Sequence, residues 1–213
     1  MDPTLALDGR SLGKRGAQTR RRLLDATATL LETHGIRDLR VVDIARAVGT
    51  SPATFYQYFR DVEDAVLALA AEVGDEVIPL ARLLDGPWDG DAGLDAARAL
   101  VDGFVSYWDR HRAVLRTRNL AAQEGDARFR EVRNGTLIEF TTRFDAKIAA
   151  SRDRGSVAPA LSAAAAAAAL VALIERMAAF HKDLEPMGVS RADLVETTAR
   201  IIHQTVVGTE RGV

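Results

Sequence analysis

The sequence predicts an all-α protein, in which an N-terminal three-helix unit containing a helix-turn-helix precedes a larger helical bundle. Apolar residues recur at helical spacing along almost the whole chain, and no β-type alternation of useful length interrupts them. The chain has 213 residues, of which 47% are hydrophobic, so it is long enough to bury a substantial core. These observations exclude a wholly disordered chain and a β-rich fold.

Four helices are expected in the first part of the chain. Thr19 is a candidate N-cap for the first helix, which ends near Gly35, and Ser51 and Pro52 mark the start of the third. Acidic residues near Asp61 suit the beginning of the fourth. The predicted ranges are 19–34, 42–48, 52–59 and 61–84.

A glycine- and aspartate-rich segment, Asp85–Gly93, is expected to be a linker. Beyond it the periodicity predicts helices at about 94–110, 112–124, 126–153, 158–184 and 190–207, with Ser190 as an N-cap. The alanine-rich part of the fourth of these is apolar, but alanine inserts poorly into bilayers and Glu175 and Arg176 follow at once. We therefore expect a packed helix and no membrane association.

Composition narrows the class of protein. The chain contains no cysteine, which excludes disulfides and thiolate chemistry and suits a reducing cytoplasm. The first residues do not resemble a signal peptide, so a cytoplasmic location is expected. The four histidines are scattered, without metal-ligand spacing, and no nucleophile or phosphate-loop motif is present. We expect no catalytic residues, no metal and no cofactor.

Charge is unevenly distributed along the chain. Between Arg10 and Arg60 there are ten basic and four acidic residues, a net charge of +6, whereas the whole chain carries −2. The remainder therefore carries −8. A basic N-terminal quarter on an acidic body is typical of a module that binds a polyanion such as DNA.

The strongest motif is a short helix, a tight turn and a second short helix across residues 42–59. Gly49 lies in the turn, where a left-handed backbone conformation is needed. Apolar side chains such as Ile44, Phe55 and Phe59 can pack the two helices together. The side chains expected to face outward are those of Ala53, Thr54, Tyr56, Gln57 and Tyr58.

The stretch from Thr19 to Leu67 resembles the DNA-binding domain of the TetR family of transcriptional regulators. The resemblance rests on Thr-Arg-Arg-Arg-Leu-Leu-Asp-Ala from Thr19, on Asp43-Ile44-Ala45, and on Val48-Gly49-Thr50-Ser51 followed by Thr-Phe-Tyr-Gln-Tyr-Phe. It implies a flexible basic arm over 1–18, a DNA-binding domain over 19–66 and a ligand-binding and dimerisation domain over 67–213. It also implies a homodimer on palindromic operator DNA.

The resemblance also implies roles for individual residues. Thr50, Ser51, Ala53 and Gln57 are expected near base edges, with Gln57 the main determinant of specificity. Thr54, Tyr56 and Tyr58 are expected to contact phosphates, as are basic side chains near the N-terminus, including Arg20. Val62 stands where the family often has a lysine, and Arg40 where it often has a capping Ser or Thr. Arg40 or Arg60 can replace the missing lysine contact.

The rest of the chain is expected to sense a ligand and to dimerise. The resemblance implies a dimer interface formed by the last two long helices, and a small hydrophobic effector whose binding moves the fourth helix and weakens operator binding. Candidate ligand-binding residues are Phe104, Tyr107, Trp108, Asn119, Gln123, Phe140, Phe144 and Met177. A DNA-binding dimer without an effector remains open, and a helical enzyme is the weaker alternative.

Overall fold

The computed structural model describes residues 7–208, so the ends of the expected arm and of the expected C-terminal domain lie outside the described residues. The helices are α1 Lys14–Leu31, α2 Val41–Ala47, α3 Pro52–Phe55, α4 Val62–Val77, α5 Gly90–Gln123, α6 Ala127–Asp153, α7 Ala163–Leu184 and α8 Arg191–Val207. Short 3-10 helices cover Ile78–Leu84 and Glu185–Met187. No β-strand occurs between residues 7 and 208. The predicted all-α class is confirmed.

The chain forms two compact units. The first consists of the chain up to Asp75 together with His111–Arg133, and the second consists of Glu76–Arg110 together with the chain from Asn134. The predicted break between helices 94–110 and 112–124 corresponds to a kink within one long helix, α5. At His111 the backbone is non-helical, with φ −124° and ψ 21°.

Helix α1 begins earlier than predicted. It starts at Lys14 with Gly13 at its N-cap, so the prediction of Thr19 as the cap is wrong and Lys14–Gln18, expected in a flexible arm, are helical. The Thr19 hydroxyl donates to the Arg15 carbonyl, 3.0 Å away, inside the helix. The reason is local, because Lys14, Arg15, Ala17 and Gln18 are good helix formers that carry the helix through Gly16.

The later cap predictions have mixed outcomes. The Asp193 amide donates to the Ser190 hydroxyl at 3.1 Å, which confirms Ser190 as the cap of α8. Helix α7 begins at Ala163, not near residue 158, because Ser162 caps it by accepting from the Ala165 amide at 3.3 Å. The segment before Ser162 contains Pro159, which disfavours helix at the residue that precedes it.

The predicted linker around Trp88 is in fact an anchored loop of the second unit. Trp88 is only 3% exposed. Its indole nitrogen donates to the Leu83 carbonyl at 3.0 Å, and its ring packs against Phe144 and His203. The His203 side chain also lies 2.9 Å from the Trp88 carbonyl. One aromatic side chain therefore holds the start of α5 against α6 and α8.

Ion pairs join α5 to α8 in the second unit. Arg98 contacts Glu196 at 2.7 Å, and Arg191 contacts Asp102 at 2.8 Å and Asp109 at 3.1 Å. Hydrogen bonds from Arg98 and then Arg200 lower the pKa of Glu196 to about 2. The carboxylate is therefore charged at neutral pH, which favours this contact.

One helical stretch among the described residues, Ala163–Met187, is long and apolar enough to cross a membrane by length and composition. Within that stretch, Leu170 and Ile174 are buried inside the second unit. Phe180 and a row of alanines are exposed. Its apolar character therefore has two parts, a buried face and an exposed small-residue face.

We expect Trp88→Ala to lower the free energy of unfolding by about 3–5 kcal/mol, because it removes a buried aromatic side chain and leaves a cavity. Trp88→Phe, which keeps the ring contacts and loses the hydrogen bond to Leu83, should cost less than half of that. Urea unfolding followed by far-UV circular dichroism measures both. Equal stability of wild type and Trp88→Ala would contradict the assignment of Trp88 as an anchor.

Candidate nucleic-acid interface and ligand-binding residues

The turn between α2 and α3 sets the orientation of the second short helix. Gly49 adopts φ +68°, a conformation that glycine adopts without strain. The Thr50 amide donates to the Ala45 carbonyl at 2.9 Å. Ser51 caps α3, because its hydroxyl accepts from the Thr54 amide at 3.3 Å. The predicted turn and cap are both present.

Most of the predicted contact residues lie on α3 or directly beside it in the chain. Ser51, Ala53, Tyr56 and Gln57 are exposed, and Tyr56 is 53% exposed. Thr50 and Thr54 are half-buried beside them. Phe55 and Phe59 are fully buried on the opposite side. The first unit therefore presents a short polar and aromatic surface with a buried aromatic core behind it.

The expectation that Tyr58 faces outward is wrong. Its side chain is 7% exposed and its ring packs beside that of Phe59. Regular α-helix ends at Phe55, and the chain continues as a tight turn in which the Tyr58 amide donates to the Phe55 carbonyl at 2.9 Å. In such a turn residues three apart eclipse each other, so Tyr58 lies on the same buried side as Phe55.

Arg20 is also placed differently from the expectation. It is 6% exposed, donates to Glu72 of α4 at 2.9 Å, and lies over the Phe59 ring at 5.4 Å. It is a core ion pair, not a surface cation. The sequence contained a signal for this, because Arg20 is spaced three, four, seven and eleven residues from the other buried positions of α1, which are Leu23, Leu24, Thr27 and Leu31.

Most of the N-terminal basic residues are neutralised by carboxylates. Arg21 pairs with Asp25 and Glu72, Arg46 with Asp43, and Arg60 with the fully buried Asp64. Hydrogen bonding to Asp64 raises the pKa of Arg60. Between residues 7 and 208, the basic side chains of this segment with no carboxylate within 4 Å are those of Lys14, Arg15, Arg22 and Arg40. These four are exposed.

A polar groove of about 410 Å³ lies between α1 and the turn that precedes α3. Its lining includes two arginines and, among the described residues, no carboxylate; the lining residues are Arg15, Gln18, Thr19, Arg22, Val48, Gly49, Thr50 and Thr54. Arg22 donates to the Val48 carbonyl at 2.6 Å and so braces the turn from α1. This bracing role was not predicted, because it depends on a contact between residues 26 positions apart.

The candidate ligand-binding residues are divided between the two units. Five aromatic residues are buried in the second unit, namely Phe104, Tyr107, Trp108, Phe140 and Phe144, and Met177 is half-buried there. Phe104 and Phe140 are in edge contact, with ring centroids 4.9 Å apart. Asn119 and Gln123 belong to the first unit. Asn119 accepts from Arg118, and Gln123 is exposed. A shared ligand role for these eight residues stays a prediction.

Comparison with known proteins identifies the family. A family model described as bacterial regulatory proteins, tetR family, matches residues 23–69. A second, described as tetracyclin repressor-like, C-terminal domain, matches residues 80–212, which is more than half of the chain. The chain belongs to the TetR family. It is therefore a transcriptional regulator with a helix-turn-helix, not an enzyme.

Relatives of this TetR-family regulator match over nearly their full length. The HTH-type transcriptional regulator EthR of Mycolicibacterium smegmatis is 29% identical over 209 residues, covering 94% of this chain and 92% of EthR. EthR of Mycobacterium tuberculosis H37Rv is 29% identical over 205 residues, covering 95% and 94%.

Solved structures share the fold of this TetR-family regulator. A regulator of the TetR/AcrR family from Thermobifida fusca has a TM-score of 0.65 at 21% identity, covering 91% of this chain and all of its own. FadR from Bacillus subtilis, solved in complex with stearoyl-CoA, has a TM-score of 0.64 at 16% identity, covering 89% and 99%. At this identity the likeness concerns the fold.

We expect Arg20→Ala to lower the free energy of unfolding by about 2 kcal/mol, because it removes a charge-assisted hydrogen bond from a buried site. Arg15→Ala, on the same helix but exposed, should change stability by no more than about 0.5 kcal/mol. Thermal unfolding followed by circular dichroism compares the two. If the two variants were equally stable, the contact between Arg20 and Glu72 would not support the first unit.

Proposed function

We propose that this regulator is a cytoplasmic homodimeric repressor that binds a palindromic operator through α3 and is released by a small effector. The observation that carries the proposal is the exposed surface of α3, which is flanked by cations without carboxylate partners. Such a surface offers polar groups to base edges and positive charge to phosphates. The related EthR proteins, named as HTH-type transcriptional regulators, support the same role. We propose residues 19–66 as the DNA-binding domain and 67–213 as the ligand-binding and dimerisation domain.

We assign the DNA contacts to predicted residues whose side chains are exposed or half-buried. Thr50, Ser51, Ala53 and Gln57 lie near base edges, and Gln57 is the best candidate for reading a base because an amide can bond both adenine acceptor and donor. Thr54 and Tyr56 bind phosphates. Exposed cations that can neutralise phosphates are Lys14, Arg15, Arg22 and Arg40. Arg20 and the Tyr58 ring position this surface from the core.

We expect the protein to bind one short inverted repeat upstream of its own or a neighbouring gene, with an affinity that falls steeply as salt rises. Fluorescence anisotropy with DNA fragments at two salt concentrations, followed by footprinting, measures this. Gln57→Ala should weaken operator binding about 10- to 100-fold and reduce discrimination between operator and random DNA. Arg15→Ala should weaken binding to both DNAs and reduce the salt slope by about one.

Arg82→Ala serves as the control, since Arg82 is an exposed arginine of the second unit that lies outside α7 and α8. It should leave operator affinity and the salt slope unchanged. Weak binding that is indifferent to sequence, in protein shown to be free of bound small molecules by mass spectrometry, would contradict the operator proposal.

We propose that α7 and α8 form the dimer interface. Five alanines of α7 are exposed along one side of the helix, namely Ala164, Ala165, Ala168, Ala169 and Ala172. Phe180 of α7 and Ile201 of α8 are also exposed, at 39% and 44%. Small side chains allow two helices to approach closely, and an exposed apolar surface is stabilised when a second copy covers it. The same surface explains the apolar character of α7.

We expect Ala168→Glu to convert the dimer to a monomer, because it places a charge on the proposed close helix contact. Ala146→Glu, at an exposed alanine of α6, is the matched control and should remain dimeric. Size-exclusion chromatography with light scattering measures the mass of each. A dimeric Ala168→Glu variant would place the interface elsewhere.

The effector is proposed to bind the second unit and to act on DNA binding through α4, which directly follows the helix-turn-helix in the chain. The structure of FadR in complex with stearoyl-CoA supports ligand binding in a protein of this fold. An effector that binds but leaves operator affinity unchanged would remove the coupling and leave a DNA-binding dimer.

A further inference from the structure

The second unit contains a groove that none of the predicted ligand residues lines. It has a volume of about 360 Å³ and lies between the Trp88 loop, the C-terminal half of α6 and the end of α8. We call it the Trp88 groove; its lining residues are Leu84, Asp85, Pro87, Trp88, Asp89, Arg143, Ala146, Lys147, Ala150, Ser151, Arg154 and Val207. This volume falls within the range of small-molecule sites.

The apolar wall of the groove is preformed. Trp88 is held by its hydrogen bond to Leu83 and by contact with Phe144 and His203, so its ring does not need to be ordered by a ligand. Ala146 and Ala150 are exposed on the facing side of α6, one helical turn apart. Small side chains there leave the wall of the groove on α6 open. The groove can therefore cover an apolar body of modest size.

Lys147 is the distinctive charge of the groove. Its ammonium group donates to the Gly86 carbonyl at 2.7 Å and lies 5.7 Å from the centroid of the Trp88 ring. Within the described part of the chain no carboxylate lies within 4 Å of it. Burial lowers the pKa of Lys147. The negative charges of the more distant Asp85 and Asp89 act in the opposite direction. A partly desolvated ammonium group with unused donors favours an anionic partner.

The other charged residues of the groove nearly balance. Arg143 is paired with Asp85 and lies 3.3 Å from Glu139. Arg154 donates to the buried Ser151 hydroxyl at 3.0 Å and lies 3.9 Å from Asp89. Arg143 is thus shared between two carboxylates, and Lys147 is the lining cation with no carboxylate within 4 Å among the described residues. The groove therefore offers one unmatched ammonium group to a ligand carboxylate.

We propose that the Trp88 groove binds an amphiphilic monocarboxylate, with its carboxylate at Lys147 and Arg154 and its apolar body against Ala146 and Ala150 of α6 and the other apolar residues that line the groove. The identification of this ligand class as the effector rests on the proposed function. The proposal that a ligand binds in the groove does not rest on that function. The groove is a different surface from the buried cluster that contains Phe104 and Phe140.

The probe is decanoate, compared with decanol and decyltrimethylammonium at concentrations below micelle formation, using isothermal titration calorimetry on the full chain. Decanoate should bind at a single site per chain at least about tenfold more tightly than either analogue, because only it completes the charge-assisted hydrogen bonds. Equal affinity of decanoate and decanol would overturn the proposed role of charge. Absence of decanoate binding would overturn the site.

Variants locate the site. Lys147→Met should weaken decanoate at least about tenfold and leave decanol unchanged, and Ala150→Phe should weaken both by filling the groove. Lys182→Met is the matched control, since Lys182 contacts Asp109 away from the groove.

A fluorescence measurement tests the position of the ligand. 10-Bromodecanoate should quench tryptophan fluorescence in the wild type and much less in Trp88→Phe, which retains Trp108. Circular dichroism establishes that each variant is folded. Binding unchanged in Lys147→Met and Ala150→Phe would overturn the assignment.

Operator release is a separate measurement. Decanoate should lower operator affinity in the anisotropy assay, and Lys147→Met should need at least about tenfold more decanoate for the same effect. Binding at the groove without release would overturn its role as the effector site while leaving the site intact. Failure of the free protein to bind any operator would instead contradict the proposed function.

Discussion

The contact between the buried Arg20 side chain and Glu72 supports the position of α3. Arg20 comes from α1, Glu72 from α4, and Phe59 from the turn that follows α3, so one guanidinium group connects three segments of the first unit. A buried charge is tolerated only when it is paired and hydrogen-bonded, so these segments must keep their relative positions. The exposed side of α3 is short, and its usefulness depends on that rigidity. Arg22, bonded to the Val48 carbonyl, supports the turn in the same way.

Trp88 has a similar structural role in the second unit, where it anchors the loop before α5. Its hydrogen bond and ring contacts fix a segment that is rich in glycine and aspartate and would otherwise be free to move. Because the ring is held, the groove beside it exists before any ligand arrives. Preorganisation of this kind reduces the entropic cost of binding. The side chain that anchors the loop therefore also shapes the groove beside it.

Charge in this protein is more local than its linear distribution indicates. Most of the basic residues between Arg10 and Arg60 form ion pairs, including pairs with Glu72, Asp64 and Glu124, which lie outside that segment. Of the basic residues between Arg10 and Arg60, four exposed ones have no carboxylate within 4 Å among the described residues, and they lie on α1 and at the start of α2. In the Trp88 groove the other charged side chains pair with one another, whereas Lys147 has no carboxylate within 4 Å among the described residues.

Sequence analysis predicts the helical class, the turn at Gly49, the caps at Ser51 and Ser190 and the family, because each depends on residues close together in the chain. Only packing places Arg20 and Tyr58 in the core, makes Trp88 the anchor of a loop and brings Lys147 beside its ring. Each of these depends on which distant residue arrives opposite. Helical periodicity shows which side chains share a face of a helix, but only packing decides whether that face meets solvent, a carboxylate or an aromatic ring.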